Sequence, residues 1–223
     1  MRTFAILPVK RFDAAKQRLA GALSASARRA LARAMVHDVL DALDQVRGIR
    51  RIVVVTAEEP VRALAAARGD LVVDDPAQAG QSAAALLGIA AAQHLRADRV
   101  LLVPGDCPAL WPPEVDAMLR RHAGGPGVVV VPDRHGAGTN ALLLAPPDAI
   151  APAFGEGSRR RHLREALDGG FTPAVEPLVS LGLDVDTPDD LAALEAALAR
   201  FEERFALHTR AALADLRRQP AVG

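Results

Sequence analysis

The chain has 223 residues, of which 27 are basic and 27 acidic, so its formal net charge is zero. This balance and an aromatic content of 3% argue against a nucleic-acid-binding surface, which needs basic residues and aromatic platforms for base stacking. Half of the residues are hydrophobic, but no apolar run approaches the length of a membrane span, and the one cysteine, Cys107, excludes an internal disulfide framework. We therefore expect one soluble, cytoplasmic domain over residues 1–223.

Short apolar runs alternate with amphipathic segments along the chain. The apolar runs predict strands at Phe4–Leu7, Arg51–Thr56, Leu71–Val73, Arg99–Val103, Val128–Val131, Ala141–Leu144 and Gly182–Val185. The segments between them predict helices near Ala14–Ala22, Ala25–Val46, Pro60–Arg68, Ser82–Leu95, Pro113–His122, Arg159–Asp168 and from Pro188 onward. This alternation predicts a mostly parallel α/β sheet with helices on both faces, in which ligands bind beyond the carboxyl ends of the strands.

The C-terminal tail is longer than the predicted core requires. It is almost entirely helix-forming from Leu191 to Arg218, so we expect a helical extension from about residue 199. Two roles are open for it: it covers its own chain as an ordinary helix, or it packs on a second subunit and forms a homodimer.

Basic residues follow the first predicted strand. They occur in Pro8-Val9-Lys10-Arg11-Phe12 and, shortly after, in Ala15-Lys16-Gln17-Arg18-Leu19. Cations at a strand end and helix start are typical of a polyphosphate site, although a solvated basic helix face is an equally common meaning. The glycine-rich P-loop pattern is absent, which excludes a P-loop enzyme.

One acidic side chain follows the fourth predicted strand. In Val103-Pro104-Gly105-Asp106-Cys107-Pro108, Gly105 allows the backbone to bend and Asp106 is exposed at the turn. Asp106 is suited to metal ligation, whereas the alternative is a turn aspartate that bonds its own backbone. Cys107 is interpreted as a small turn residue, because no second cysteine or neighbouring histidine supports a zinc or nucleophile role.

Two glycine-containing segments suit anion binding. Asp133–Leu142 contains two glycines followed by Thr139 and Asn140, which can donate hydrogen bonds, although a hairpin loop has similar residues. Gly155-Glu156-Gly157-Ser158 precedes a predicted helix, with Ser158 as the expected N-cap and His162 one turn further along the same face. A plain cap and a structural histidine are the alternatives.

Four aspartates lie within residues 184–190. The second half of this segment suits the start of a helix, with an N-cap, a proline and two acids in the first turn: Thr187, Pro188, Asp189 and Asp190. Capping does not explain Asp184 and Asp186, which in a strand would face the same way about 6.6–6.8 Å apart. Two like charges on one face require a cation between them, and a divalent metal is the usual one in a phosphate-handling enzyme.

Taken together, these segments resemble the phosphoenolpyruvate or 2-phospho-L-lactate guanylyltransferase family of coenzyme F420 biosynthesis. The resembling stretches occur in the family's order and span most of the chain: Pro8–Leu19, Pro104–Pro108, Asp133–Leu142, Gly155–His162 and Leu183–Leu191. The specific pieces are Gly-Thr-Asn-Ala-Leu, Gly-x-Gly-Ser and Leu-Asp-x-Asp-Thr-Pro-x-Asp-Leu in succession. The resemblance implies a Rossmann-like, GT-A-like nucleotidyltransferase fold, which is a three-layer sandwich around a mostly parallel mixed sheet.

The resemblance also implies that a phosphorylated three-carbon acid attacks the α-phosphate of GTP and releases diphosphate, with Mg²⁺ as cofactor. The implied metal ligands are Asp106, Asp184 and Asp186. The implied acceptor-binding residues are Thr139, Asn140, Gly155, Ser158 and His162. The implied nucleotide-binding residues are Pro8, Lys10, Lys16, Arg18, Ser82 and Asp106, of which Lys16, Arg18 and Asp106 also act in catalysis.

The chain departs from the family pattern at one position near the nucleotide. Family members commonly carry Gly-Leu-Asn where this chain has Gly80-Gln81-Ser82, and a serine lacks the paired donor and acceptor of the amide. The departure therefore leaves the selectivity for guanine open. The acceptor is also open among phosphoenolpyruvate, 2-phospholactate and 3-phosphoglycerate, since all three present a phosphate and a carboxylate. Other readings are a cytidylyl- or molybdopterin-guanylyl-type transferase, a small glycosyltransferase, and a non-catalytic nucleotide-binding module.

Overall fold

A computed structural model describes residues 1–14, 16–200 and 205–218. Within these residues, seven strands form one sheet: Thr3–Val9 (β1), Ile49–Thr56 (β2), Leu71–Asp74 (β3), Arg99–Leu102 (β4), Gly127–Pro132 (β5), Thr139–Ala145 (β6) and Ala174–Val175 (β7). They lie in the order β3-β2-β1-β4-β6-β5-β7. Strand β6 runs antiparallel to β4 and β5, and the other pairings are parallel. The predicted mostly parallel mixed sheet is confirmed.

Helices cover both faces of this sheet. They span Ala25–Asp44 (α1), Glu59–Arg68 (α2), Gln81–His94 (α3), Pro112–Arg121 (α4), Ser158–Asp168 (α5), Pro188–Leu198 (α6) and Leu207–Arg218 (α7). In β1, Ala5 and Leu7 pack with residues of α1, α2 and α4, whereas Phe4 and Ile6 pack with α3 and α5. Successive side chains of the neighbouring strands also point to opposite faces of the sheet, and helices bury both faces. The central positions of these strands are therefore buried, which explains why their sequences are continuously apolar there.

A third apolar cluster contains no strand residues. It joins the loops after β1 and β4, helix α1, the segment before α6, and the C-terminal helices α6 and α7. Its buried members are Leu19, Leu31, Met35, Ala109, Leu183, Val185, Leu194, Leu198, Ala206 and Leu213. Helix α7 lies on α1 of its own chain, where the Asp38 carboxylate accepts the backbone N–H groups of His208 and Thr209 at 3.1 and 2.7 Å. The extension thus covers its own chain, and its predicted role in a homodimer stays a prediction. Residues 201–204 and 219–223 of the extension lie outside the described residues.

Two predicted elements are wrong. Gly182–Val185 is not a strand, because its backbone bonds to loops: Arg134 N–H donates to Gly182 O and Val185 N–H to Asp106 O, at 2.8 and 3.2 Å.

The predicted helix Ala14–Ala22 is replaced by two 3-10 helices, Phe12–Ala14 and Gln17–Leu19, with Ala15 outside the described residues. Lys16 lies between them with φ 55°, a left-handed conformation that interrupts a helix. The short edge strand β7 was not predicted, because two residues carry too little pattern. In the described ranges, no helix has the length and apolar character that crossing a membrane requires.

Helix α3 packs against β1 without room for a side chain at Gly88. A Cβ atom there would lie 2.3 Å from Ile6 Cγ2, inside the buried sheet face. We predict that Gly88→Ala lowers the free energy of unfolding by about 1–3 kcal/mol through overpacking, as measured by urea denaturation. Alanine is the better helix former by about 1 kcal/mol. A variant more stable than the wild type would therefore mean that helix propensity outweighs the close approach.

Candidate active site

The topology gathers the polar segments at one edge of the sheet. Strands β1, β2, β4 and β5 are mutually aligned, so their carboxyl ends lie at the same edge. Because β6 is antiparallel to β4 and β5, it begins at that edge, with Thr139 and Asn140. The loops after β1, β4 and β5 and the start of β6 therefore meet, and this is the edge where ligands bind in open α/β sheets.

A buried lysine joins two of these loops. Lys16 Nζ donates to Asp106 Oδ2 at 2.5 Å and to Asp186 Oδ1 at 2.8 Å. The Lys16 side chain is only 8% exposed. Burial by itself lowers its pKa, but the charges of Asp106 and Asp186 outweigh burial and raise the pKa of Lys16 above its ordinary value. The ammonium group is therefore charged, and it lies between Asp106 and Asp186 and not between Asp184 and Asp186, the pair for which the sequence analysis expected a cation.

The carboxylate of Asp184 is in a different environment. Asp184 Oδ1 accepts a hydrogen bond from Asn140 Nδ2 at 3.1 Å, and the same amide nitrogen donates to Leu181 O at 2.8 Å. Burial, and then the negative charge of Asp106, raise the pKa of Asp184 to about 6. Its neighbour Asp106 has a second oxygen, Oδ1, that is buried without a hydrogen-bond partner.

This combination fits a divalent cation next to Asp106 and Asp184. An orphaned carboxylate oxygen and a raised carboxyl pKa both indicate negative charge that the protein does not neutralise, and carboxylate oxygens are the ligands that Mg²⁺ prefers. In the described part of the chain, the ligand atoms of the three predicted ligands do not all lie within 4.8 Å of one another, and Lys16 bonds both Asp106 and Asp186. Among the described residues, the only acidic or histidine trio with ligand atoms within 4.8 Å is Asp38, Asp41 and His208, at the α1–α7 contact.

The start of α6 is as predicted. Thr187 is the N-cap, Pro188 is the first helical residue, and Asp190 completes a capping box: Thr187 Oγ1 accepts the Asp190 N–H at 3.2 Å, while Asp190 Oδ2 accepts the Thr187 N–H at 2.8 Å. Asp190 also accepts the Asp186 N–H at 3.1 Å and bonds Arg134 of the loop after β5. The cap therefore fixes the backbone at Asp186, a role that the sequence did not reveal.

His162 supports Thr139 and uses both of its ring nitrogens. Nε2 accepts the Ala153 N–H at 2.8 Å, so Nδ1 carries the proton and donates to Thr139 Oγ1 at 3.0 Å. Burial, followed by the charge of Arg161, lowers the pKa of His162 to about 4. The ring is fully buried and neutral, so of the two roles considered for His162, the structural one agrees with its contacts.

The loop before α5 is closed by its own residues. Gly155 and Gly157 have φ of +111° and +66°, which glycine tolerates, and Arg161 donates to Ala153 O at 3.0 Å and to Glu156 O at 2.5 Å. Gly157, not Ser158, is the N-cap, because Ser158 is already the first helical residue and is buried. Sequence analysis did not predict this role of Arg161.

The remaining predicted nucleotide-binding residues surround this edge. Pro8 lies near the end of β1, and Ser82 Oγ accepts the Phe154 N–H at 2.9 Å, which ties α3 to the loop before α5. Lys10 and Arg18 are exposed and form no ion pair within the described part of the chain. The structure brings Lys16, Asp106, Asp184 and Asp186 together, whereas Lys10 and Arg18 are exposed to solvent.

Two residues at the carboxyl end of β2, which the sequence analysis did not select, hold the loop after β1. Thr56 Oγ1 donates to Val9 O at 2.8 Å, and Glu58 Oε2 accepts the Phe12 N–H at 2.9 Å. A threonine and a glutamate at a strand end are common in any sheet, so their spacing carried no signal. They fix the first part of the loop that contains Lys16.

Residues 3–197 match the family described as "Guanylyl transferase CofC like". A phosphoenolpyruvate guanylyltransferase from Conexibacter woesei is 48% identical over 219 residues, which cover 98% of this chain and 98% of that protein. A 2-phospho-L-lactate guanylyltransferase from Methanothermobacter thermautotrophicus is 36% identical over 193 residues, which cover 86% of this chain and 83% of that protein.

The fold has a counterpart among solved structures. A putative nucleotide-diphospho-sugar transferase from Desulfovibrio desulfuricans G20 aligns with a TM-score of 0.76 and 18% identity, over 98% of this chain and 98% of that chain. This likeness confirms the expected nucleotidyltransferase fold. Because the family match covers most of the sequence and the Conexibacter relative aligns over nearly its full length, the chain belongs to the family of CofC-like guanylyl transferases and is a nucleotidyltransferase enzyme.

Proposed function

We propose that this chain transfers the guanylyl group of GTP to phosphoenolpyruvate, with release of diphosphate, as a step in coenzyme F420 biosynthesis. The observation that carries the proposal is the meeting of Lys16, Asp106 and Asp184 at the carboxyl edge of the sheet, in a member of this family. Phosphoenolpyruvate is the first choice of acceptor because the relative that is 48% identical over 98% of both chains is named for that substrate.

The reaction needs no general base. A phosphate oxygen of the acid is already a nucleophile, so it forms the new bond to the α-phosphorus of GTP while the bond to the β-phosphate breaks and diphosphate leaves. His162 is not available as a base, since Thr139 and Ala153 occupy both ring nitrogens. Positioning and charge neutralisation then supply the catalysis.

Each group of site residues has a part in this scheme. Asp106 and Asp184 would hold Mg²⁺, which when bound supplies positive charge beside the reacting phosphates. Lys16 faces the departing diphosphate from its buried position, and the exposed Lys10 and Arg18 are free to reach the triphosphate.

The proposed acceptor residues lie at the start of β6 and around the start of α5. Thr139, Gly155 and Ser158 bind the phosphate and carboxylate of the acid in this proposal, and they lie around His162 and the loop before α5. Asn140 bonds Asp184 and Leu181 O, so its amide links this side of the site to the metal side.

We expect GTP and phosphoenolpyruvate to be the preferred pair in a turnover assay with Mg²⁺. The panel combines GTP, CTP, ATP and UTP with phosphoenolpyruvate, 2-phospholactate and 3-phosphoglycerate, and mass spectrometry of the coupled product is the measurement. The nucleotide panel is needed because the Ser82 hydroxyl already accepts the Phe154 N–H and cannot replace an amide as a base reader. Turnover with CTP but not GTP would reject guanylyl transfer, and no product with any pair would reject the enzyme function.

We predict that Asp106→Asn and Asp184→Asn each reduce diphosphate release by about 100-fold or more, because each loses a carboxylate that would hold the cation stabilising the reacting phosphates. Both variants should keep the circular dichroism spectrum of the wild type. Asp189→Asn is the matched control: Asp189 is exposed in the first turn of α6, and its replacement should leave the rate within about twofold. Wild-type rates in the two site variants would contradict the metal assignment.

The buried His162 predicts a pH-dependent stability. Its pKa is about 4 in the folded protein and 6.5 ordinarily, so below pH 6.5 the unfolded chain binds a proton that the folded chain does not. The wild type therefore loses stability through this group as pH falls from about 6.5 to 4, by about 2 kcal/mol at pH 5.

The variant His162→Gln removes this titration. We expect it to be less stable than the wild type at pH 7.5, because a buried hydrogen-bond network is broken, and we expect the difference to shrink by about 2 kcal/mol at pH 5. Urea denaturation at the two pH values gives both numbers. An equal difference at pH 7.5 and pH 5 would show that the histidine is not buried as a neutral group.

A further inference from the structure

One guanidinium group holds three carbonyl groups of the loop before α5. Arg161 Nε and Nη2 donate to Ala153 O at 3.2 and 3.0 Å. Nη2 also donates to Phe154 O at 3.4 Å, and Nη1 donates to Glu156 O at 2.5 Å. All three nitrogens of this exposed side chain therefore bond the backbone of the loop instead of solvent alone.

These bonds also fix the direction of N–H groups in the loop. A trans peptide unit is planar and its C=O and N–H point opposite ways, so a carbonyl that faces Arg161 turns the N–H of the next residue away from it. The unit of Ala153 O shows this orientation, because its N–H belongs to Phe154 and donates to Ser82 Oγ on α3 at 2.9 Å. The loop thus presents carbonyl oxygens to Arg161 and an N–H group to the start of α3, on the opposite side.

Two further N–H groups of the loop have no acceptor in the protein. The peptide unit of Phe154 O carries the Gly155 N–H, and the unit of Glu156 O carries the Gly157 N–H. The same geometry turns both N–H groups away from Arg161. Within the described residues, neither N–H donates a hydrogen bond, and neither glycine is buried. Both precede the first residue of α5, where the helix dipole adds positive potential, so they are suited to donate to an anion.

We propose that Arg161 is a positioning residue for the acceptor acid, and that it holds the loop so that the Gly155 and Gly157 N–H groups are aligned for an anionic group of that acid. The inference rests on the proposed function, which assigns Gly155 to the acceptor. Arg161 does not bind the acid itself, because its donors are bonded to carbonyl oxygens. A loop that is held in advance loses less conformational entropy when the acid binds.

Steady-state kinetics separate this role from a purely structural one. We expect Arg161→Ala to raise the KM for phosphoenolpyruvate about tenfold, because the loop is no longer held, and to leave the KM for GTP within about twofold. A variant that is only less stable contains fewer active molecules, which lowers the apparent kcat but not the KM. Arg161→Lys should lie between the wild type and Arg161→Ala, because an ammonium group keeps the charge but lacks the planar fork of the guanidinium.

Arg160→Ala is the matched control, since it removes the same charge from the neighbouring position. The Arg160 side chain is exposed and has no hydrogen bond or ion pair within the described residues. We expect both KM values of this variant to stay within about twofold of the wild type, because solvent and salt screen an exposed charge. Equal increases in Arg160→Ala and Arg161→Ala would show a general effect of charge and would overturn the positioning role.

Binding of the acid without GTP gives a second readout. By isothermal titration calorimetry, we expect Arg161→Ala to bind phosphoenolpyruvate about tenfold more weakly than the wild type, and Arg160→Ala to bind like the wild type. If the wild type binds the acid only together with GTP, the KM comparison decides. If Arg161→Ala does not fold by circular dichroism, Arg161→Lys provides the same readouts.

The inference and the proposed function fail on different results. An unchanged KM for the acid in Arg161→Ala, or an equal increase in its KM for GTP, would overturn the inference and leave the function intact. Weaker acid binding by Arg161→Ala in an enzyme that forms no product in the turnover panel would reject the function and keep the inference. A wild type that neither binds nor converts any of the three acids would reject both.

Discussion

The burial of the Lys16 ammonium between two carboxylates is the interaction on which the site depends. A buried charge is costly unless its partners are close and fixed, so the two loops that carry Lys16 and Asp186 must both be held firmly. They are held by the apolar cluster that contains Leu19 and Val185, and by the capping box of α6. The cluster also includes residues of α6 and α7, so the C-terminal helices support the site although they lie outside the sheet.

The reversed direction of β6 links the two halves of the site. Because β6 is antiparallel to β4, its first residues reach the edge where β4 ends, and Asn140 can bond Asp184. On the other side of β6, Thr139 bonds His162, which in turn accepts the Ala153 N–H of the loop before α5. The neighbouring residues Thr139 and Asn140 therefore join the hydrogen bonds on the metal side of the proposed site to those on its acceptor side.

Sequence analysis selected residues that the structure brings together, although the local structure expected around them was partly wrong. Lys16, Asp106 and Asp184 lie at one edge of the sheet, and their roles there stay predictions. The strand Gly182–Val185, the helix Ala14–Ala22 and the Ser158 cap were wrong. For the strand and the helix, contacts between segments distant in sequence decided the local conformation, and local propensity cannot report such contacts. The loop before α5 is instead closed by its own residues.

The sequence by itself determined the fold class, the family resemblance and the start of α6, because periodic burial and capping are local properties of neighbouring residues. Only the tertiary structure decided which side chains are partners. It paired Lys16 with Asp106 and Asp186, gave Asp184 an amide instead of a cation, and committed both nitrogens of His162 to the protein. These assignments require side-chain atoms to lie within hydrogen-bond distance of each other, although the residues are as many as 170 positions apart in the sequence. Tertiary packing fixes such distances, and sequence spacing does not.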